Sequence, residues 1–172
     1  MIRLILMRHA KSSWDDLSLA DHDRPLNARG LRAAQQMADL FIARDLTPDA
    51  ILCSSAIRAR QTMSPILNLH QGSVSLTFSP ALYEARSKDY PSLIMQQLKA
   101  STNPQILMLI GHNFAIQDAA IDLAAPVNTD IQQKLKNKFP TGAAAIFELQ
   151  DNMQDLDAKS SHLIDFVRPR DL

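Results

Sequence analysis

The sequence predicts an α/β fold, a three-layer sandwich in which a mostly parallel central sheet carries helices on both faces. Two observations predict it. Short apolar runs of strand length recur along the 172 residues, and segments with helical spacing of apolar side chains separate most of them. Such alternation is typical of parallel sheets built from β-α-β units. Because the length is typical of one domain, we expect residues 1–172 to form a single domain.

Six apolar runs are the predicted strands. They cover residues 2–7, 50–53, 74–78, 106–110, 144–149 and 163–167. Runs this short favour strands over helices, and the least polar ones are typical of strands buried on both faces. The last run is expected to lie at an edge of the sheet.

The helical segments show apolar side chains at spacings of three and four residues. Leu31, Met37 and Phe41 belong to such a pattern after Gly30, which predicts an amphipathic helix. The same spacing predicts helices near residues 91–98 and 115–123. A further helix is expected over residues 56–69, with Pro65 kinking or ending it.

Composition excludes several classes of protein. Lysine and arginine number 18 and aspartate and glutamate number 18, so the formal net charge is zero, which argues against a nucleic-acid-binding surface. The hydrophobic fraction of 46% excludes a disordered chain, and the single cysteine, Cys53, excludes an internal disulfide framework. No apolar run is long enough for a membrane span, and the start lacks the features of a signal peptide. A cytoplasmic location is therefore expected.

Cationic and imidazole side chains follow three of the predicted strands. Arg8 and His9 follow the first strand, Arg58 follows the second, and Gly111 and His112 follow the fourth. Ligands of parallel sheets bind beyond the carboxyl ends of the strands, where these residues would meet. The sequence therefore predicts a site at this edge.

This set of residue types suits phosphoryl transfer. Arginine is always protonated, and its planar fork binds phosphate oxygens in pairs. A histidine beside arginines is kept neutral by their charge, and a neutral imidazole can attack phosphorus to give a phosphohistidine. Because cationic side chains supply the charge that stabilises the transferring group, we expect no metal and no cofactor.

The motifs resemble those of the histidine phosphatase (phosphoglycerate mutase-like) superfamily. Residues 8–10 (Arg-His-Ala) resemble its Arg-His-Gly signature, residues 54–62 its second motif, and residues 111–113 (Gly-His-Asn) its late glycine-histidine motif. The length and the Arg-His-Ala-Lys-Ser start are most similar to the small phosphohistidine phosphatase branch. The resemblance covers the chain from residue 2 to about residue 123.

This resemblance implies roles for individual residues. His9 would be the nucleophile that accepts the phosphoryl group, and Arg8, Arg58 and His112 would form the rest of the pocket. Phosphomonoesterases and mutases of the superfamily place a carboxylic acid after a Leu-x-Glu pattern, and residues 82–84 (Leu-Tyr-Glu) match it. Glu84 is therefore the candidate general acid, with a solvated loop carboxylate as the alternative.

Three residues after the predicted nucleophile are candidates for substrate binding. Lys11 could steer an anionic substrate, or it could be a solvated loop lysine. Ser12 or Ser13 could donate a hydrogen bond to phosphate.

Residues 21–23 (Asp-His-Asp) superficially suggest a metal site. Adjacent residues alternate in direction along an extended chain and do not converge easily, so a metal site is not expected there. Nearby Arg24 and Arg29 are expected to be structural ion-pair partners.

The predicted function is that of a metal-independent phosphatase acting through a phosphohistidine intermediate, with phosphohistidine in proteins as its substrate. The alternative substrate is a small phosphomonoester metabolite. A non-catalytic module that binds phosphate or a phosphoprotein is the alternative from another class, because fold does not fix function. The partner is therefore expected to be a phosphorylated protein or a small phosphorylated metabolite, with no nucleic acid and no membrane, and the oligomeric state stays open.

Overall fold

The computed structural model describes residues 1–70, 72–101, 104–125, 129–151 and 153–172. In this part of the chain, the strands are β1 (Ile2–Arg8), β2 (Ala50–Ser54), β3 (Ser75–Ser79), β4 (Ile106–Gly111), β5 (Ala144–Leu149) and β6 (Ser161–Val167). The α-helices are α1 (Ala28–Ala43), α2 (Ile57–Leu69), α3 (Pro80–Glu84), α4 (Tyr90–Ala100), α5 (Ala115–Leu123) and α6 (Asp130–Asn137). None of these described helices is long and apolar enough to cross a membrane.

All six described strands form one sheet, in the order β3-β2-β4-β1-β5-β6. Strands β3, β2, β4 and β1 are parallel, whereas β5 is antiparallel to β1 and β6 is antiparallel to β5. The prediction of a mostly parallel sheet is confirmed, with an antiparallel pair at one edge. In the register of β1 and β4, Arg8 lies opposite Gly111, so the carboxyl ends of the two strands are side by side.

Two apolar cores flank the sheet because successive side chains of a strand point to opposite faces. Leu4 and Leu6 of β1 pack with buried residues of α4, α5 and α6. Ile5 and Met7 of the same strand pack with buried residues of α1 and α2. Helices therefore cover both faces, which confirms the predicted three-layer sandwich.

Helix α2 extends through Pro65, so of the two predicted effects of this proline, a kink or an end of the helix, the second is wrong. The helix continues to Leu69. Proline removes one backbone hydrogen bond and costs about 3 kcal/mol or more inside a helix. Buried Ala59, Met63 and Ile66 pack α2 against the sheet on both sides of this position, and their burial offsets that cost.

Candidate active site

The site lies where β1 and β4 end next to each other. The backbone N–H of His9 donates to the carbonyl of Gly111 at 3.1 Å, and the ring centroids of His9 and His112 are 5.0 Å apart. A Cβ atom at position 111 would collide with the hydroxyl of the buried Tyr90, so a larger residue here would require the tyrosine to move. Strand pairing thus brings together two histidines that are far apart in the sequence.

His9 is buried, with 8% of its surface exposed. Its Nδ1 lies 2.7 Å from the carbonyl oxygen of Ala10, which can only accept a hydrogen bond, so Nδ1 carries the proton and Nε2 holds a lone pair. Burial, assisted by the charges of His112, Arg58 and Arg8, lowers the pKa of His9 to about 3. The imidazole is therefore neutral at neutral pH and can act as a nucleophile.

Arg58, in the first turn of α2, links the two histidines. Its Nε donates to His9 Nε2 at 3.3 Å, and its Nη2 donates to His112 Nδ1, also at 3.3 Å. The residue is 6% exposed. The hydroxyl of Thr62, one turn further along α2, donates to the Arg58 carbonyl and accepts from the Ala10 N–H. Helix α2 is thereby fixed to the backbone that follows His9.

His112 is neutral for the same reasons as His9. Its Nε2 lies 2.7 Å from the hydroxyl oxygen of Ser54. Because the guanidinium of Arg58 can only donate, Nδ1 of His112 accepts and Nε2 carries the proton. Burial, followed by the charge of Arg58, lowers the pKa of His112 to about 4.

Arg8 supplies a second guanidinium beside the histidines. Its Nη1 donates to the carbonyl of Phe139 at 2.7 Å, whereas its Nε is buried and has no partner among the described residues. Burial lowers the pKa of Arg8, and its charge contributes to the lowered pKa values of both His9 and His112. An unsatisfied buried donor on a cation favours the binding of an anion.

Two of the three predicted substrate-binding residues, Ser12 and Ser13, form hydrogen bonds within the loop that follows His9. Ser12 Oγ accepts from Arg24 Nη2 at 2.8 Å, and Ser13 Oγ donates to Asp15 Oδ2 at 2.7 Å. Lys11 is exposed and lines a cleft next to the pocket. Of the three residues, Lys11 therefore has the side chain most available to bind a substrate, because the hydroxyl groups of Ser12 and Ser13 already have partners.

The side chain of Glu84, the predicted general acid, is exposed and forms no hydrogen bond or ion pair with any described residue. Its neighbour Tyr83 lies at the pocket instead. The ring centroids of Tyr83 and His112 are 5.2 Å apart. Successive residues of a helix are turned by roughly 100° from each other, and in α3 Tyr83 faces His112 while the side chain of Glu84 is exposed.

Sequence reasoning missed Asp21, which supplies the pocket's carboxylate. Its Oδ2 lies 2.8 Å from Arg58 Nη2, and its carbonyl accepts from Arg58 Nη1. The hydroxyl of Tyr83 donates to the same Oδ2 at 3.0 Å, and Arg24 Nη1 lies 2.8 Å from Oδ1, which confirms Arg24 as an ion-pair partner. Burial opposes ionisation, but the bonds from Tyr83 and Arg58 and the charges of Arg58 and Arg24 lower the pKa of Asp21. Asp21 is therefore ionised at neutral pH.

The lowered pKa values of the two histidines predict an unusual titration. In the unliganded protein, the ring carbon resonances of His9 and His112 should stay unchanged from about pH 8 down to about pH 5.5. A folded-state pKa below the ordinary value of 6.5 means that protons bind only at lower pH. NMR with histidine-selective labelling and single-residue assignment variants measures this directly, and a midpoint near 6.5 for either ring would contradict the buried, neutral pair.

Comparison with known proteins assigns the chain to the superfamily that its sequence motifs resemble. The family described as the histidine phosphatase superfamily (branch 1) matches residues 4–118. An uncharacterized protein of Mycobacterium tuberculosis is 33% identical over 168 residues, covering 95% of this chain and 100% of that protein. A solved structure from Agrobacterium tumefaciens, assigned as the phosphohistidine phosphatase SixA, is 33% identical with a TM-score of 0.80 and covers 98% of each chain.

A more distant structure shares the fold. The protein histidine phosphatase SixA complexed with tungstate is 18% identical, with a TM-score of 0.75 over 99% of each chain. The family match covers more than half of the chain and includes the strand ends that carry Arg8, His9, Arg58 and His112. The chain therefore belongs to branch 1 of the histidine phosphatase superfamily and is a SixA-like phosphatase.

Proposed function

We propose that this phosphatase removes the phosphoryl group from phosphohistidine in proteins, with His9 as the transient acceptor. The observation that carries the proposal is the neutral, buried His9, whose Nε2 lone pair lies 3.3 Å from the Nε of Arg58. A neutral imidazole beside a fixed cation is competent to attack an anionic phosphoryl group. The similar Agrobacterium tumefaciens structure assigned as a phosphohistidine phosphatase also supports it.

In the first half of the proposed reaction, the hydrogen bond from Arg58 Nε to His9 Nε2 breaks, and the freed Nε2 lone pair forms a bond to phosphorus. The substrate imidazole carries a proton on its other ring nitrogen. Its bond to phosphorus breaks, the electron pair stays on the departing nitrogen, and the substrate leaves as a neutral imidazole. The guanidinium groups of Arg8 and Arg58 stabilise the phosphoryl oxygens during transfer. The hydrogen bond from Nδ1 to the Ala10 carbonyl holds the imidazole in the reactive tautomer.

In the second half, water attacks the phosphorus of phosphorylated His9. The bond from phosphorus to Nε2 breaks, inorganic phosphate leaves with both protons of the water, and the imidazole regains its lone pair. A phosphoryl group near His112 would raise the pKa of that imidazole, because an anion favours the charged form. His112 would then strengthen the hydrogen bonds to the phosphoryl oxygens as negative charge accumulates.

The carboxylates around the pocket support a substrate with an easily displaced leaving group. Asp21 is held as an anion by Arg58 and Tyr83, so it has no proton to give at neutral pH. The side chain of Glu84 is exposed and forms no hydrogen bond or ion pair with any described residue of the pocket. A protonated imidazole departs more readily than an alkoxide, so phosphohistidine needs less help from an acid than a phosphomonoester does.

The proposal is tested by phosphate release from a phosphohistidine-bearing protein, measured beside a panel of small phosphomonoesters, with His9→Ala as the control. Preferential release from the phosphohistidine protein, lost in the variant, supports it. His9-dependent preference for a small phosphomonoester would replace the substrate and keep the mechanism. No His9-dependent release from any of these substrates would overturn it.

A small phosphomonoester is the second candidate, favoured by Glu84 at the end of α3 beside the pocket residue Tyr83. The Glu84→Gln variant separates the two substrates. On phosphohistidine we expect kcat/KM to change by less than about threefold, whereas loss of a true general acid costs about 100-fold or more. Steady-state kinetics on both substrates measure this, with Glu148→Gln on β5 as the matched control. A large loss on phosphohistidine would assign Glu84 to the reaction.

A further inference from the structure

A second group of cations lies beside the active site. Lys11, Arg29 of α1, Arg168 and Arg170 line a narrow cleft of about 70 Å³ together with Pro140 and Thr141. We refer to it as the cationic cleft. Its lining residues include no acidic side chain.

The walls of the cationic cleft are fixed to the backbone that carries the nucleophile. The N–H of Gly142, next to Thr141, lies 3.1 Å from the carbonyl oxygens of both Arg8 and His9. Gly142 has φ of +80°, and a Cβ there would lie 2.9 Å from Pro169 Cγ, so the wall is closely packed. The cleft and the phosphoryl pocket therefore keep a fixed relative position.

The first turn of α1 is equally well fixed. The N–H of Asn27 donates to the Lys11 carbonyl at 3.0 Å, and Asn27 Oδ1 caps the helix at Gly30. A Cβ at Gly30 would collide with that same carbonyl. Arg29 is therefore held close to the segment that follows His9.

The positive charge of the cationic cleft is only partly balanced. Asp171 pairs with Arg168 at 2.6 Å and lies 3.8 Å from Arg170. Within the described ranges, Lys11 and Arg29 form no ion pair, which corrects the expectation that Arg29 is a structural ion-pair partner. A basic residue in the first turn of a helix is also unfavourable, because the helix dipole is positive there. In a chain of zero net charge, this local excess of cations favours an anionic ligand.

We propose that the cationic cleft binds an acidic side chain of the protein substrate, two or three residues away from the phosphohistidine. This inference rests on the proposed function, since it assigns a substrate feature to the same site. Lys11 is two residues from His9, a distance of at most ~7 Å along an extended chain. An extended substrate segment with its phosphohistidine at His9 spans this distance in two or three residues, so a glutamate or aspartate at those positions can reach the cleft.

The small volume favours one carboxylate at a time over a nucleic acid backbone, which needs a continuous track of cations. Guanidinium groups bind carboxylates through paired hydrogen bonds, so Arg29 and Arg170 can recognise such a side chain. Because the cleft is exposed, its contribution to substrate preference should weaken as salt rises.

Two phosphohistidine peptides of equal length test this proposal. One carries glutamates at the second and third positions from the phosphohistidine, and the other carries glutamines there. For the unmodified protein we expect kcat/KM to be about tenfold higher on the glutamate peptide at low salt. In the double variant Arg29→Gln and Arg170→Gln, this preference should be lost, so that kcat/KM is about equal for the two peptides. Arg32→Gln, an exposed change on the same helix, should keep the preference.

The possible outcomes are distinct. Equal turnover of both peptides by the unmodified protein would overturn the cleft proposal and leave the proposed function standing. Turnover of neither peptide would instead contradict the proposed function. In that case, fluorescence anisotropy with the unphosphorylated glutamate peptide tests the cleft proposal separately. Binding by the unmodified protein that is lost in the double variant supports the proposal, and no binding by the unmodified protein overturns it. The choice of a protein segment as occupant would be overturned if the double variant lowered kcat/KM for a small bisphosphate more than it lowered kcat/KM for the glutamate peptide.

Discussion

His9→Ala is expected to reduce phosphate release by at least about 10⁴-fold, because the substitution removes the group that accepts the phosphoryl. The ring of His112 lies 5.0 Å from that of His9, measured between centroids, and is held there by Ser54 and Arg58, so it does not occupy the position of the acceptor. Rapid quenching with labelled substrate should show a phosphorylated protein in the unmodified chain and none in the variant, measured under alkaline conditions that preserve phosphohistidine.

The matched control for this experiment is His162→Ala, on strand β6 with its side chain exposed. It should retain the activity and the labelled intermediate of the unmodified protein. The thermal midpoint of His9→Ala distinguishes lost chemistry from lost structure, since a folded variant without activity supports the nucleophile. Retention of a labelled intermediate in folded His9→Ala would assign the phosphoryl acceptor to another residue.

The fold could be predicted from the sequence because its strands are short apolar runs and its helices are amphipathic. The strand order could not. Strand β1 lies between β4 and β5, which are more than 90 residues away along the chain, and side-chain periodicity carries no information on such pairing. The antiparallel direction of β5 and β6 is also determined by these long-range contacts. The continuation of α2 through Pro65 depends on packing against the sheet, which local propensity does not describe.

The site, like the fold, could be predicted from the sequence only in part. The structure brings together Arg8 at the end of β1, His9 and His112 directly after β1 and β4, and Arg58 in the first turn of α2. Asp21 could be found only in the structure, since it lies 37 residues from Arg58 along the chain. One physical signal for it exists, because a buried arginine requires an anionic partner or an anionic ligand. The Leu-x-Glu pattern predicts Glu84 as the general acid, whereas the structure places the ring of the neighbouring Tyr83 against His112.

Arg58→Lys is expected to lower kcat/KM by about 100-fold to 1,000-fold, although the positive charge is retained. The guanidinium donates to His9 Nε2, to His112 Nδ1 and to both the carboxylate and the carbonyl of Asp21. A lysine ammonium has three donors on one atom and cannot span these groups. The loss should be larger than for Arg60→Lys, an exposed change two residues further along α2 that should stay within about twofold.

Chemical rescue separates the charge and shape of Arg58 from a general role in folding. Added guanidinium ion at millimolar concentration should restore part of the activity of Arg58→Ala, whereas ammonium at the same concentration should not. Rescue by guanidinium alone would show that the planar fork acts on the phosphoryl group or on the two imidazoles. Activity of Arg58→Lys within about threefold of the unmodified protein would contradict this role, because a fork that bridges both histidines cannot be replaced by a single ammonium.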